Sequence, residues 1–284
     1  MNTVFFGRAT LDLAYVVKAI PAENEKIFAE RLIIQPGGPA LNAAITFSLL
    51  GGKGVIISCF GTREAGALVK TQAEQTYGLS VVDLAGDSSY DFPISSIIIN
   101  RVAGTRTILN GPRPEGATIA RSALSGMDEA VATLLLDGFN LERNLPFVAD
   151  WKQKGAIIVL DGGSWKDDLR EVLPLVDIAI CSERFAIPGI CGEGTIDRLH
   201  GFGVRMVAIT HQSNAIEMSM DGQRASVPVP SVNAVDTLGA GDLLHGAFCY
   251  YYRINRDFGE SLKLAAGVAS NSCRYYGTHT WANR

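Results

Sequence analysis

The sequence has few features of secreted, membrane-bound or nucleic-acid-binding proteins. Its five cysteines are odd in number and lack C-x-x-C spacing, which argues against a disulfide framework or a zinc site. No apolar stretch approaches the ~18 residues of a membrane span, and no basic flank or long apolar core marks a secretory signal. A net charge of −4 does not favour nucleic acid or an anionic membrane as a partner. We therefore expect a cytoplasmic protein.

The pattern that is present is typical of an α/β protein. The chain has 284 residues, 47% hydrophobic and 19% charged, which is enough for a substantial core. Short β-rich apolar runs alternate with amphipathic segments, as in β-α-β units of a mostly parallel sheet flanked by helices. The predicted strands are 3–7, 54–59, 133–136, 156–161, 178–181 and 206–210. The predicted helices are 40–50, 64–77, 143–154, 166–176, 195–202, 240–252 and 258–276.

Two stretches interrupt this alternation. Segments 12–35 and 92–110 contain extended-looking runs with no helical pattern between them. We predict that they form a small separate sheet. The alternative from pattern alone is an antiparallel extension of the main sheet.

The segment from Asp236 to Asp242 reads Asp-Thr-Leu-Gly-Ala-Gly-Asp and runs directly into an apolar helical pattern. The free N–H groups of a helix start, with the glycines before them, can hold phosphate oxygens. Asp242 on the first turn can then accept the proton of an attacking hydroxyl. Two other interpretations are a helix cap and a dinucleotide site, although His245 stands where the third glycine of a dinucleotide motif would be.

These residues carry a resemblance to a known family. Asp236-Thr237-x-Gly239-Ala240-Gly241-Asp242 resembles the C-terminal signature of the pfkB or ribokinase-like kinases, and Gly37-Gly38-x-x-x-Asn42-x-Ala44 resembles their N-terminal signature. The likeness extends from about residue 4 to 277, and is greatest to the ketohexokinase and sulfofructose kinase subgroups. It implies a single ribokinase-like domain over 1–284, with a β-sheet lid from 12–35 and 92–110. It also implies ATP and Mg²⁺ as cofactors and, in some relatives, K⁺.

The resemblance implies a role for each matching position. The catalytic group comprises Asp242 as base and the amides of Gly239, Ala240 and Gly241. The sugar-binding group comprises Asp12, Gly37, Gly38, Asn42, Lys26 and Asn110. The nucleotide-binding group comprises Thr210, Gln212, Gly239, Gly241, Cys273 and Gly277. The metal-handling group comprises Asp236, for a monovalent cation, and Glu183, near Mg²⁺ and phosphate.

Several of these positions also have ordinary structural interpretations. Asp12 can cap a turn before the lid, and the glycines at 37 and 38 can simply open a helix. A single exposed lysine such as Lys26 is usually solvated surface.

The sequence departs from the family pattern on the nucleotide side. The customary Asn-x-x-Glu becomes Ser182-Glu183-Arg184-Phe185, and the usual Thr-x-Gly-x-x-Gly has lost both glycines in Thr210–Ala215. An arginine expected in sulfofructose kinases is replaced by Phe139, which disfavours a sulfonated sugar unless Arg113 or Arg143 reaches the site.

The sequence therefore predicts an ATP-dependent kinase that acts on a hydroxyl of a small sugar, with a ketohexose such as fructose favoured. The alternatives are a nucleoside or sulfonated-sugar kinase of the same fold, and a catalytically idle sugar-binding or regulatory protein. A homodimer formed through the edge strands of the lid is also expected.

Overall fold

The computed structural model describes residues 2–86, 89–112, 131–141, 144–166, 168–188 and 194–283. Its strands are β1 (Asn2–Phe6), β2 (Thr10–Val17), β3 (Arg31–Gly37), β4 (Gly54–Ser58), β5 (Ser80–Asp83), β6 (Ile94–Asn100), β7 (Thr105–Asn110), β8 (Val131–Leu136), β9 (Ile157–Gly162), β10 (Ile178–Ser182), β11 (Met206–His211), β12 (Asn214–Met220) and β13 (Gln223–Val227). Its α-helices are α1 (Pro39–Leu49), α2 (Glu64–Thr71), α3 (Leu145–Gln153), α4 (Leu169–Val172), α5 (Thr195–Gly201), α6 (Ala240–Asn255) and α7 (Phe258–Ser272).

Nine of the strands form the main sheet, in the order β13-β12-β11-β10-β9-β8-β1-β4-β5. All neighbours from β11 to β5 pair in parallel, whereas β12 and β13 are antiparallel at one edge. The chain moves from β1 outward to β4 and β5 on one side, and returns through β8 to β11 on the other. This reversal makes the carboxyl ends of β1, β4 and β8 a topological switch point, where ligands of open α/β sheets bind.

Alternate strand residues pack into two cores on opposite faces of the main sheet. Phe5, Ile56 and Leu135 face one core with α1, α6 and α7, whereas Val4 and Ile57 face the other with α3 and α5. Burial on both faces explains why these strands read as continuous apolar runs. None of the helices in the described part of the chain has the length and apolar character that a membrane span requires.

The lid is a separate four-stranded sheet in the order β3-β2-β6-β7. Strands β2 and β6 pair in parallel, and the two outer pairs are antiparallel. Ala14, Val16, Ile97 and Ile99 form a small core on its inner face, against Leu238. The prediction of a mostly parallel sheet with a separate small sheet is confirmed, and the lid does not extend the main sheet.

The boundaries differ where local signals were weak. Strands β5, β12 and β13 were not predicted; β12 and β13 are exposed along much of their length. The last helix ends at Ser272 rather than at 276, and the segment predicted as helix 64–77 closes with a π-helical turn over Gln72–Thr76. The predicted helix 166–176 is reduced to α4 and a 3₁₀ turn at Leu173–Leu175.

Candidate active site

The start of α6 adjoins open space. Gly239 precedes the helix in the left-handed conformation, with φ of 71°, which glycine adopts without the penalty that other residues incur. A Cβ atom there would also lie 2.6 Å from Thr278 Cγ2. A Cβ on Gly241, by contrast, would meet no atom within 4 Å. The space beside Gly241 is therefore open, as an anion site at a helix N-terminus requires, whereas the Ala240 amide donates to the Thr237 carbonyl at 3.4 Å.

The loop before α6 is held by the side chain of Asp236. This buried carboxylate accepts a hydrogen bond from the Leu238 amide at Oδ1 (2.9 Å) and one from the Gly277 amide at Oδ2 (3.1 Å). The carbonyl of Cys273 accepts hydrogen bonds from the amides of Val235 and Asp236. Three predicted residues, at positions 236, 273 and 277, thus meet in one structural unit that fixes the position of Gly239.

Asp242 lies half-buried on the first turn of α6 and is bound by Asn42 of α1. The Nδ2 group of Asn42 donates to Asp242 Oδ2 at 2.7 Å. Burial, and then the charge of Asp161, raises the pKa of Asp242 to about 7, whereas the Asn42 hydrogen bond lowers it. The Oδ1 atom of Asn42 is buried and has no hydrogen-bond partner among the described residues, which leaves an acceptor free beside the carboxylate.

The two glycines before α1 allow Asp12 and the chain after β1 to approach closely. A Cβ on Gly37 would lie 2.1 Å from Asp12 Oδ2, and one on Gly38, whose φ is 92°, would lie 2.5 Å from the Arg8 carbonyl oxygen. Thr10 Oγ1 donates to Asp12 Oδ1 at 2.7 Å. Burial raises the pKa of Asp12, and its hydrogen bonds oppose that rise. The sequence motif therefore corresponds to a corner that only glycine fits.

A row of polar side chains crosses the inner face of the lid. In the strand register Asp12 pairs with Gln35 on β3 and with Ser95 on β6, and Ser95 pairs with Asn110 on β7. Residues at the same register position have side chains on the same face. Ser95 Oγ donates to Asn110 Oδ1 at 3.0 Å. Asn110, a predicted sugar-binding residue, thus lies on the same face of the lid as Asp12, with Ser95 between them.

Lys26 is not brought into this row. It lies exposed in the connection between β2 and β3, and no contact of the described residues joins it to Asp12 or Asp242. Arg113 and Arg143, the candidate anion-binding residues, lie outside the described residues.

His245 and Asp161 were not predicted, and they lie directly beneath Asp242. The two ring nitrogens of His245 face carbonyl oxygens, with Nδ1 2.7 Å from that of Gly241 and Nε2 3.0 Å from that of Ile180. Carbonyl oxygens only accept, so the ring must donate to at least one of them. Asp161 Oδ2 also lies 3.5 Å from Nδ1. The sequence signal that could have pointed to His245 was its place where the third glycine of a dinucleotide motif would stand.

Arg106 connects the lid to the phosphate-binding loop. It extends from β7, and its Nη1 donates to Thr237 Oγ1 just before Gly239. Arg106 was not predicted to belong to the site, because an arginine within an exposed strand carries no chemical signal on its own. Its position brings a positive charge close to the open amides of α6.

The nucleotide side lies at the turns after β10 and β11. Glu183 accepts a hydrogen bond from Gln212 Nε2 at 2.6 Å, and its second oxygen lies 3.4 Å from His211 Nδ1. These two hydrogen bonds lower the pKa of Glu183. Thr210 Oγ1 donates weakly to the Cys181 carbonyl at 3.4 Å. The predicted residues Glu183 and Gln212 therefore contact each other. Both lie at the surface.

Phe185 occupies the position of the family's customary glutamate. Its ring is 2% exposed and packs against Trp165 at 5.8 Å between centroids. The side chain at this position is thus part of the hydrophobic core. Among the described residues, no three His, Cys, Asp or Glu side chains are grouped so that they could hold a metal ion.

Comparison with known proteins identifies the family. The model of the pfkB family carbohydrate kinases matches residues 2–283. The fructosamine kinase FrlD of Bacillus subtilis is 27% identical, with 85% of each chain covered. The ketohexokinase of Mus musculus is 23% identical over 95% of each chain.

Solved structures show the same fold. The ribokinase of Giardia lamblia has a TM-score of 0.84 at 19% identity, covering 100% of this chain and 96% of that one. The Arabidopsis thaliana ribokinase, solved with ribose and ATP, has a TM-score of 0.76 at 20% identity, covering 99% and 95%. The predicted ribokinase-like fold is confirmed. The chain belongs to the pfkB family of carbohydrate kinases, phosphotransferases that act on an alcohol group.

Proposed function

We propose that this kinase transfers the γ-phosphoryl group of ATP to a hydroxyl of a ketose, either free ketohexose or a ketose substituted at the end away from the reacting hydroxyl. The observation that carries the proposal is the hydrogen bond between Asn42 and Asp242 beside open space at the start of α6. The names of two relatives, a fructosamine kinase and a ketohexokinase, support a ketose.

The acceptor sugar lies between the lid row and α1. Asp12 accepts hydrogen bonds from two vicinal hydroxyls, which a carboxylate can do. The free Oδ1 of Asn42 accepts another. Asn110 contacts the sugar from the lid, and Gly37 and Gly38 give it room at the backbone. Lys26 closes over it only if the exposed connection between β2 and β3 moves inward.

Asp242 acts as the general base. Its pKa of about 7 suits proton transfer at neutral pH, because a base works best when its pKa is near the operating pH. Asp242 takes the proton of the attacking hydroxyl, while the amides of Gly239, Ala240 and Gly241 stabilise the charge on the transferred group. Arg106 adds positive charge from the lid side. His245 contacts Asp161 beneath the base.

Mg²⁺ fits this site as an ion carried by the nucleotide. The described residues offer no cluster of three ligands, and Mg²⁺ in kinases is bound mainly by phosphate oxygens, water and one or two carboxylates. When bound, it shields the phosphate charge. Glu183 is the nearest match to the family's metal-handling residue. Each oxygen of Asp236 accepts one amide and keeps a further lone pair, so Asp236 is the residue through which a K⁺ effect would act.

We place the nucleotide between Thr210 and Gln212 on one side and Cys273 and Gly277, whose backbone adjoins Asp236, on the other. This arrangement supports nucleotide binding beside Gly239 and Gly241.

The outer face of the lid favours a homodimer. Leu32 and Ile34 on β3 and Leu109 on β7 are 50%, 52% and 56% exposed, and the register places all three opposite the polar row. Apolar side chains on an exposed sheet face are typical of a subunit contact. Light scattering of wild type and Ile34→Lys would test this, with a monomeric variant expected.

A reducing, cytoplasmic location fits the cysteines. Cys59, Cys181, Cys249 and Cys273 are all free and buried. Burial raises the pKa of the Cys59 thiol to about 12, so this group stays protonated and unreactive.

The deciding experiment is an ADP-release assay with ketoses, aldoses, nucleosides and sulfonated sugars, with and without Mg²⁺ and K⁺. We expect Mg²⁺-dependent turnover that is highest with a ketose. Preference for a nucleoside or a sulfonated sugar would replace the acceptor but keep the chemistry. If the protein binds a sugar but releases no ADP with any of these acceptors, it is a catalytically idle sensor and the proposal is overturned.

A further inference from the structure

The ring of His245 joins the first turn of α6 to the main sheet. Its Nδ1 atom lies 2.7 Å from the carbonyl oxygen of Gly241, and its Nε2 atom lies 3.0 Å from that of Ile180 on β10. The residue is 5% exposed, so its ring nitrogens depend on these protein partners. Such a ring can serve the fold by holding the helix on the sheet, or serve the reaction by fixing the first turn of the helix.

Two distances place a proton on Nδ1 of this ring. The contact of Nδ1 with the Gly241 carbonyl is the shorter of the two carbonyl contacts, and 2.7 Å fits an N–H donor better than two opposed lone pairs. Asp161 Oδ2 also lies 3.5 Å from Nδ1, and a carboxylate favours the tautomer that turns a donor toward it. The ring therefore donates to the Gly241 carbonyl.

The Gly241 carbonyl belongs to the same peptide group as the amide of Asp242. The C=O and N–H of a trans peptide lie in one plane and point in opposite directions, so a carbonyl held toward His245 turns the Asp242 N–H away from the ring. The Leu243 amide donates to the Gly239 carbonyl at 2.9 Å, whereas the Asp242 amide donates to no residue that the structure describes. The Asp242 amide is thus a free donor at the start of α6, and the peptide that His245 holds sets its direction.

Gly241 itself adds little to the order of this peptide. It has no side chain, and a Cβ there would meet no atom within 4 Å. Glycine has the greatest backbone freedom of any residue, and helix ends fray more readily than helix centres. The contact from His245 therefore restrains a peptide that its own residues leave loosely held.

We propose that His245 is a positioning residue for phosphoryl transfer, because its Nδ1–H holds the Gly241–Asp242 peptide with the amide toward the transferred group and the carboxylate toward the attacking hydroxyl. This inference rests on the proposed function and adds a residue that acts through Asp242. Donors that are aimed before the reaction begins stabilise transition-state charge without reorganisation. Loss of the contact should thus lower the rate of transfer more than the affinity for either substrate.

Two amide variants separate the two ring nitrogens. The side-chain nitrogen of asparagine falls near the position of histidine Nδ1, and that of glutamine falls near Nε2. His245→Asn therefore keeps a donor to Gly241, and His245→Gln keeps a donor to Ile180. We expect the single-turnover rate with an accepted ketose to stay within about threefold of the wild type in His245→Asn and to fall about tenfold or more in His245→Gln.

His200 on α5 provides a matched control. Its Nδ1 lies 2.7 Å from the Val204 carbonyl and its Nε2 lies 2.8 Å from Ser219 Oγ, at the amino-terminal end of β11 and away from the site. All four variants, His245→Asn, His245→Gln, His200→Asn and His200→Gln, should lower Tm by a similar few degrees. The two His200 variants should leave the rate unchanged. Equal rates in the two His245 variants, or a lower rate in His245→Asn, would overturn the inference.

A measurement on the wild type does not depend on how well any variant folds. The chain has four histidines, so nitrogen-15 NMR of histidine-labelled protein can resolve each ring, and the His245 variants identify the signal of that residue. We expect a proton on Nδ1 of His245. A ring protonated on Nε2 alone would overturn the inference whatever the kinetics show.

Failure of the proposed function gives a different result. If the wild type phosphorylates no acceptor, the proposed function fails, and calorimetric affinities for Mg-AMP-PNP and Mg-ADP still measure the contact with the terminal phosphoryl group. An affinity ratio that falls in His245→Gln but not in His245→Asn supports the inference, and equal ratios in the two variants refute it. Normal turnover of a ketose with equal rates in both variants would leave the kinase activity standing and remove the role of His245.

Discussion

The acceptor side and the nucleotide side of this cleft are built differently. On the acceptor side Asp12, Asn42 and Asp242 are buried or half-buried, and each is held by a hydrogen bond to another residue of the site or to its own strand. On the nucleotide side Glu183 and Gln212 sit at exposed turns and contact each other. The acceptor side is therefore organised before ligands bind, whereas the nucleotide side relies on polar groups that water also solvates.

This difference predicts unequal costs of substitution. Groups that are fixed in a water-poor site act strongly on developing charge and lose little freedom during reaction. Exposed ion pairs and hydrogen bonds contribute about 0 to 1 kcal/mol. Changes at the mouth of α6 should thus reduce turnover strongly, and changes at the β10 and β11 turns should be mild.

Gly241→Ala should have the largest effect of the variants that test this contrast. The added methyl group meets no protein atom and improves helix propensity, but it fills the space where phosphate oxygens would bind. We expect kcat to fall about a hundredfold, as for loss of one anion-binding donor, without loss of stability. Steady-state kinetics and thermal unfolding measure both quantities.

The matched control is Gly267→Ala in α7, where a Cβ also meets open space. It should leave kcat unchanged and stability equal or higher. A Gly241→Ala variant with more than half of the wild-type activity would show that phosphate does not bind at these amides.

The next largest effect concerns the pH dependence of the base. Asp242 must be ionised to act, so activity should rise with pH around its pKa of about 7. Asn42→Ala removes the hydrogen bond that lowers this pKa, and it should move the acid limb of the kcat/KM profile to higher pH. Asp12→Asn removes a negative charge that raises the pKa of Asp242. It should therefore move the acid limb of the kcat/KM profile to lower pH.

Both variants lose a sugar contact, so weaker sugar binding is common to them. Opposite shifts of the acid limb would therefore separate electrostatic control of Asp242 from sugar binding. Profiles that shift in the same direction, or not at all, would show that another group sets the limb.

The smallest effect is expected on the nucleotide side. Glu183→Gln keeps the size of the side chain and removes a charge at the surface. We expect the KM for Mg-ATP to change about threefold or less, as measured over a range of Mg²⁺ concentrations, with Glu260→Gln on α7 as the surface control. A rise of more than tenfold in the KM for Mg-ATP, reversed by high Mg²⁺, would identify Glu183 as a metal-handling residue. The nucleotide side would then be as sensitive to substitution as the acceptor side.

Much of the fold could be predicted because the central strands are buried on both faces. Runs such as Ile178–Ser182 carry their apolar pattern without interruption. Strands β12 and β13 escaped prediction because they form an edge hairpin with exposed positions, where pairing with β11 rather than local pattern determines the structure. Segment 64–77 was correctly placed as helical, but a π-helical turn has no distinct sequence signal.

The site was predictable where its motif contains glycines that the backbone geometry requires. Gly37, Gly38 and Gly239 stand where a Cβ would collide with neighbours, so the sequence pattern already contained the geometry. Three residues were missed because their roles come from tertiary contacts. His245 and Asp161 meet where α6 packs on β9 and β10. Arg106 reaches from the lid to the loop at Thr237. Lys26 stays a prediction, since its exposed position supports no contact with the sugar corner.

The most direct test of the central claim is the Asp242→Asn variant. Its single-turnover rate of phosphoryl transfer to an accepted ketose would be measured beside calorimetric affinities for Mg-ATP and for the sugar. We expect the rate to fall about a thousandfold, as loss of a general base does, with both affinities within a few-fold of the wild type. A rate within tenfold of the wild type, at unchanged affinities, would show that Asp242 is not the base and would contradict this account.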